Sequence, residues 1–221
     1  MNNFSIKSIS REECKQFLLN IHYAKRMPCI SYSFGCYEED KLIGIVTYGQ
    51  TANNNLNKWG DFKLLELNRL CFIKQVKNLA SWFVSRTFAL LPHPTILISY
   101  ADSSWNHHGY IYQALNFIYL GSSKGDTEFI INGRQFHRKR MYEMFGTGSV
   151  KQLKELCPHA ISVKQGDKHR YIILLGNKTE KKAMLKEVNL RYKIEPYPKG
   201  DNKNYSINLD LLSAKEQLKL L

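Results

Sequence analysis

TILISYADSSWNHHGYIYQALNFIYLG, residues 95–121, decides the fold. Thr95–Tyr100 is a compact apolar run that reads as a buried central strand. It ends at Ala101-Asp102, and a polar stretch from Ser103 to His108 leads to a short helix near Ile111–Asn116. Ile118–Gly121 then reads as another strand. Open α/β sheets bind ligands beyond the carboxyl ends of their strands, so Asp102 stands where chemistry is expected. Asn106, His107 and His108 follow in the same loop. Gly109 permits a tight entry to the helix, and Tyr110 and Tyr112 begin it. The plain alternatives are that Asp102 only caps the next element and that Tyr112 only fills a core.

Upstream, Phe4–Ser8 alternates as a short strand. Ser10 opens a helix with Glu13 placed for a capping box, and Cys14, Phe17, Leu18 and Ile21 form its apolar stripe. Pro28 disfavours helix before it, so this helix should fail near His22–Pro28. Ser31–Tyr37 and Leu42–Tyr48 form a hairpin around the polar turn Glu38–Lys41. A polar loop, Gln50–Gly60, carries Asn53, Asn54 and Asn55. Leu64–Phe72 is a long strand, and Leu79–Leu91 a helix ended by Pro92 and Pro94.

Downstream, Phe129–Ile131 and Arg134–Phe136 flank the turn pair Asn132-Gly133. Ser149–Leu156 and Thr179–Leu190 read as helices, His169–Leu175 as a late strand, and Leu209–Leu221 as a last amphipathic segment. This order argues for a mixed sheet with helices on both faces, an α/β (α+β) fold. The expected organisation is a catalytic domain over residues 1–148. A C-terminal extension of strand and helices over 149–221 would then be available to nucleic acid.

The chain has 221 residues, long enough for a substantial core, and a formal net charge of +13. A polyanionic partner is the natural inference, because Lys and Arg on phosphates release counterions. The basic run Arg134, Arg138, Lys139 and Arg140 would hold a nucleic-acid backbone, as would Lys25 and Arg26. Five cysteines, an odd number without a CxxC spacing, read as reduced residues of a cytoplasmic protein. The N-terminus MNNFSIKS has no apolar stretch of a signal peptide, and no apolar run is long enough to span a membrane.

NIHYAKRMP, residues 20–28, places His22 and Tyr23 at the end of the first helix. Histidine transfers protons or binds metals near neutral pH. On spacing alone, a histidine favoured there by the helix dipole explains it equally well.

Taken together, HYAKRMP, FGCYEEDKLIGIVTYGQTANNN, LLELNRLCF and SYADSSWNHHGYIYQALNFIYLG resemble the Mom family of phage DNA-modification proteins. The order matches from about His22 through Gly148. The resemblance implies a fold like that of the GNAT acyltransferases. It also implies transfer of a carbamoylmethyl group to the exocyclic amine of adenine in phage DNA, which shields that DNA from host restriction. It marks His22, Tyr23, Asp102 and Tyr112 as site residues and implies iron, which His22 and Asp102 would help to hold. The acyl donor is open between an acyl-CoA, with Asn78 and Ser81 at its binding helix, and an aminoacyl-tRNA. Acetyl-CoA enzymes carry a glycine-rich loop at that helix, whereas Lys74–Leu79 has no glycine. Two other readings are an ordinary acetyltransferase and a non-catalytic DNA-binding antirestriction protein.

Overall fold

The computed structural model describes residues 3–51 and 59–200. Most of the Asn53–Asn55 loop and the segment Leu209–Leu221 therefore lie outside the described residues. The described residues form two compact units: residues 3–51, 59–100, 109–121 and 170–200, and residues 101–108 with 122–169.

The first unit is built on a seven-stranded sheet. Its strands are β1 (Phe4–Ser8), β2 (Tyr32–Glu38), β3 (Lys41–Gly49), β4 (Lys63–Phe72), β5 (Thr95–Asp102), β6 (Ile118–Ser123) and β10 (Lys168–Leu175). They stand in the order β1-β2-β3-β4-β5-β10-β6. β1 to β4 pair antiparallel, and β4 pairs parallel with β5. The sheet is thus mixed, as the element order argued.

α1 (Arg11–Gln16) begins with the expected capping box, Ser10 and Glu13 each bonding the other's backbone. It continues as a π-helical turn, Phe17–Ile21, and stops at His22, whose backbone is extended. Its Cys14, Phe17 and Leu18 pack on Ile45 and Cys71. α2 (Leu79–Thr87) and the short α3 (Tyr110–Ala114) follow β4 and β5. α6 (Lys178–Asn189) sets Met184 and Val188 against Ile96, Ile98, Ile172 and Leu174. Each such side chain, once buried, stabilises the fold by about 1.5–3 kcal/mol relative to exposure. The late strand is therefore a central one. Tyr171 and Ile172, which point to opposite faces of the sheet, are both fully buried.

The second unit has a three-stranded sheet of β7 (Thr127–Ile131), β8 (Arg134–Phe136) and β9 (Ile161–Lys164), with β7 in the middle. Asn132 and Gly133 take the left-handed backbone that their hairpin turn requires. α4 (Arg138–Phe145) and α5 (Val150–Leu156) cover it, with Phe129, Met141 and Leu153 as a small core of its own. Among the described residues no helix is long and apolar enough to cross a membrane. Cys14, Cys36, Cys71 and Cys157 are buried and Cys29 is exposed, all as free thiols. Burial pushes the pKa of the Cys36 thiol up to about 11 and that of Cys71 to about 12.

Candidate functional site

The central feature of the first unit is where β4 leaves β5. Their parallel pairing runs from Lys63↔Thr95 to Glu66↔Ile98 and stops, although β4 continues to Phe72. Ser99 Oγ donates to Leu67 O at 2.8 Å in place of the next ladder bond. One residue further, Asn68 is an extra residue in the pairing with β3, since Thr47 faces Arg69 and Tyr48 faces Leu67. A bulge of this kind bends its strand and re-aims the side chains beside it.

Arg69 is the side chain so re-aimed. It is half-buried, its Nη1 donates to Asn68 O at 2.5 Å, and its buried Nε finds no hydrogen-bond partner among the described residues. Burial lowers its pKa from the usual arginine range. Tyr23, Glu66 and Tyr112 act against that lowering, and Arg26 adds to it. Tyr23 from the first helix–strand connection and Tyr112 from α3 thus both lie near this guanidinium.

The His22–Ile30 connection is held against β4 by Asn68. Asn68 Oδ1 accepts from Thr47 Oγ1 at 2.6 Å, and Asn68 Nδ2 donates to Cys29 O at 2.8 Å. Gly49 lets that carbonyl approach, because a Cβ there would lie 1.9 Å from Cys29 O. His22 itself is buried, and its ring lies 4.3 Å from that of Tyr23. The Ala24 N–H donates to His22 Nδ1 at 3.0 Å. A lone pair is needed there, so the neutral ring carries its proton on Nε2 and acts from that atom as a donor. Lys25 and Arg26 are exposed just beyond.

Tyr112 is half-buried against Phe117 and Tyr171, with ring centroids at 5.3 and 5.2 Å. Gly109 has φ +79° and sits so near Tyr171 that a Cβ would lie 2.4 Å from its ring. Glycine is therefore required at this entry to α3. Tyr48 OH meets Thr87 Oγ1 at 2.5 Å, and burial, helped by Tyr112, raises its pKa. Among the expected cofactor residues, Asn78 takes the left-handed backbone ahead of α2, and Ser81 Oγ donates to its carbonyl at 3.0 Å.

Asp102 belongs to the second unit. Its Oδ1 accepts the Ser104 N–H at 2.9 Å and so caps the turn Ser103–Trp105. The capping role weighed from sequence is thus real. His107 lies beside it, and the His108 ring is 5.8 Å from that of His169. Burial lowers the pKa of His107; Asp102 opposes the lowering and His108 adds to it. Burial and His108 lower that of His169, against Asp167. Both rings therefore stay neutral at pH values where a histidine in an unfolded chain, near pH 6.5, is already taking up a proton. Their contribution to stability is intact above about pH 6.5 and is lost as pH falls through their lowered folded values. Between about pH 7.5 and 5.5, amide exchange of residues 101–108, corrected for intrinsic rates, should accelerate. Protection that stays constant over that range would contradict this.

The expected DNA-backbone residues lie on β8 and α4 and are exposed. Arg138 is engaged within the unit, by Asp126 at 3.2 Å and Gly148 O at 3.0 Å. Arg140 faces Glu143 at 3.1 Å. Among the described residues no group of three or more His, Cys, Asp or Glu side chains could hold a metal. His22 Nδ1 and Asp102 Oδ1, moreover, already accept backbone N–H groups. The iron implied by the resemblance thus finds no ligand set among these residues, and no step is routed through it.

The sequence profile of the Mom protein family matches residues 3–199. The chain belongs to the Mom family. Methylcarbamoylase mom of Escherichia phage Mu is 24% identical over 205 residues, covering 88% of this chain and 83% of that protein. Among solved structures, a Bacillus subtilis acetyltransferase in complex with CoA aligns with 78% of this chain and 98% of its own. Its TM-score is 0.45 and its identity 12%. Ribosomal-protein-S5-alanine acetyltransferase from Vibrio fischeri aligns over 79% and 94%, with a TM-score of 0.48 and 11% identity.

Of the four residues that the Mom resemblance marks, three lie in the first unit. His22 stacks on Tyr23, and Tyr23 and Tyr112 both lie near Arg69. Sequence reasoning missed Arg69, Asn68 and Glu66. The signal was present in LLELNRLCF, where three polar residues interrupt an apolar strand.

Proposed function

We infer that this chain is a DNA-modifying transferase that places a carbamoylmethyl group on the exocyclic amine of adenine. The observation that carries the reading is the position of Arg69. It is a half-buried guanidinium whose Nε finds no hydrogen-bond partner among the described residues, and it lies near both tyrosines that the family resemblance marks. Such a group is suited to an anion or to an oxygen on which negative charge develops.

The exocyclic amine of adenine is a weak nucleophile, because its lone pair is delocalised into the ring. The base leaves the duplex to be reached and is held between aromatic faces, a role for Tyr23 and Tyr112. The donor is an activated two-carbon glycyl unit, carried on coenzyme A near Asn78 and Ser81 or on a tRNA. The amine nitrogen bonds to the donor carbonyl carbon. The bond to the thiolate or tRNA oxygen breaks with its electron pair, and the amine proton passes to that leaving group. Charge on the carbonyl oxygen is met by His22 Nε2–H and Arg69. A glycyl amide and a carbamoylmethyl amine are isomers, so rearrangement completes the product without another reactant. Purified protein that modifies DNA fully without tRNA would exclude the tRNA-borne donor.

Cells expressing the chain should yield DNA that resists restriction endonucleases whose sites contain adenine. Tyr112→Ala should restore cleavage while the protein remains folded and binds DNA, with Tyr112→Phe retaining protection. Cleavage as complete with the unaltered protein as without it would count against the reading.

A further inference from the structure

α3 is five residues long, Tyr110–Ala114, and a helix so short does not hold its own place in water. What sets the position of Tyr112 is therefore what α3 rests on. Gly109, Tyr112 and Gln113 stand at i, i+3 and i+4 and so share one face. All three meet Tyr171 of β10. A Cβ on Gly109 would lie 2.4 Å from the Tyr171 ring, the Tyr112 ring centroid lies at 5.2 Å, and Gln113 Nε2 donates to Tyr171 OH at 3.2 Å. Tyr171 in turn sits on a strand paired on both sides, with the rings of Tyr119 and Tyr197 at 5.0 and 6.4 Å. Its side chain is fully buried. A phenylalanine would fill the same space, and a buried hydroxyl costs stability unless it is hydrogen-bonded. Filling the core accounts for the ring, but not for the hydroxyl under Gln113.

We propose that Tyr171 is a positioning residue for the transfer, and that its hydroxyl, through Gln113, fixes the place of Tyr112. The proposal rests on the DNA-modifying reading, in which Tyr112 holds the target base. β10 supplies the fixed point, and α3 is docked on it at two places. The missing Cβ of Gly109 lets the start of the helix lie on the Tyr171 ring. One turn on, the Gln113–Tyr171 bond fixes the rotation of the helix about its axis, which decides where the adjacent Tyr112 points. Apolar contact alone does not do this, because it is non-directional, whereas a hydrogen bond weakens steeply away from its preferred angle. A shift of about 1 Å in a group that orients a substrate slows a reaction about 10²-fold, so a modest turn of α3 is felt in the rate.

Three variants of the full chain test this: Tyr171→Phe, Gln113→Leu and the two together. Each single variant removes one partner of the bond and should lower the melting temperature by about 2–4 °C. The double variant removes both polar groups and should regain most of that loss. Modification of adenine, followed over time after induction at matched protein levels, should slow about tenfold in each single variant and stay slow in the double one. The N–H groups of Gln113 and Leu115 close α3 onto Gly109 O and Ile111 O. Their exchange with solvent should quicken about five- to tenfold in all three variants. A Tyr171 that only fills space predicts that modification recovers together with stability in the double variant, and that result would overturn the proposal. So would unchanged exchange in α3, whether or not the DNA is modified. DNA without modified adenine from cells holding the unaltered protein overturns the DNA-modifying reading, and the positioning role with it. Unslowed modification in Tyr171→Phe overturns the positioning role alone.

Discussion

Arg69→Met should lower the rate of adenine modification by about 10²–10³-fold and leave thermal stability unchanged or slightly raised. The two halves of this expectation have separate causes. Preorganised donors aimed at developing charge lower the barrier because they need no reorganisation in the transition state. Arg69 has that character, with its Nη1 bonded to Asn68 O and a buried Nε that finds no partner among the described residues. The same Nε is a liability to the fold, since a buried unpaired donor costs about 1–3 kcal/mol. Methionine retains the apolar stem and removes that cost. A purely structural arginine predicts the opposite, with activity and melting temperature falling together. Measuring both on one preparation decides between them.

Asn68→Asp should lower the rate by about 10²-fold without lowering DNA affinity, and Gly49→Ala should do the same by a different route. Asn68 Nδ2 donates to Cys29 O at 2.8 Å, and an aspartate oxygen in that place would repel the carbonyl. A new Cβ on Gly49 would stand 1.9 Å from the same oxygen, so the His22–Ile30 connection must move. Displacement of about 1 Å in a positioning element is enough for a loss of this size. Stability should fall as well, by about 1–3 kcal/mol for Asn68→Asp, because Cys29 O loses its donor. For a chain of this length that corresponds to about 2–4 °C per kcal/mol. Asn68→Asp at full activity would show that the connection is placed by other contacts.

The sequence made much of this arrangement legible, for physical reasons that differ from element to element. The capping box at Ser10 and Glu13, the hairpin at Asn132-Gly133 and the central run Thr95–Tyr100 are local signals, and each element stands where its signal placed it. α4 was hidden because Arg138–Arg140 reads as the end of a run of charge rather than as a helix N-terminus. β10 could be seen as a strand, but its insertion between β5 and β6 is a non-local pairing with no sequence period to betray it. Arg69 was overlooked because strand alternation treats LLELNRLCF as a surface to be buried. The bulge that re-aims it depends on register with β3. Asp102 was correctly placed at a strand end, where it caps the following turn.

The most direct test of the central claim is mass spectrometry of nucleosides digested from the DNA of cells expressing the chain. The account predicts a deoxyadenosine heavier by one carbamoylmethyl group, abundant with the unaltered protein and strongly reduced with Arg69→Met. DNA whose four nucleosides are all unmodified, from cells holding abundant folded protein, would contradict it.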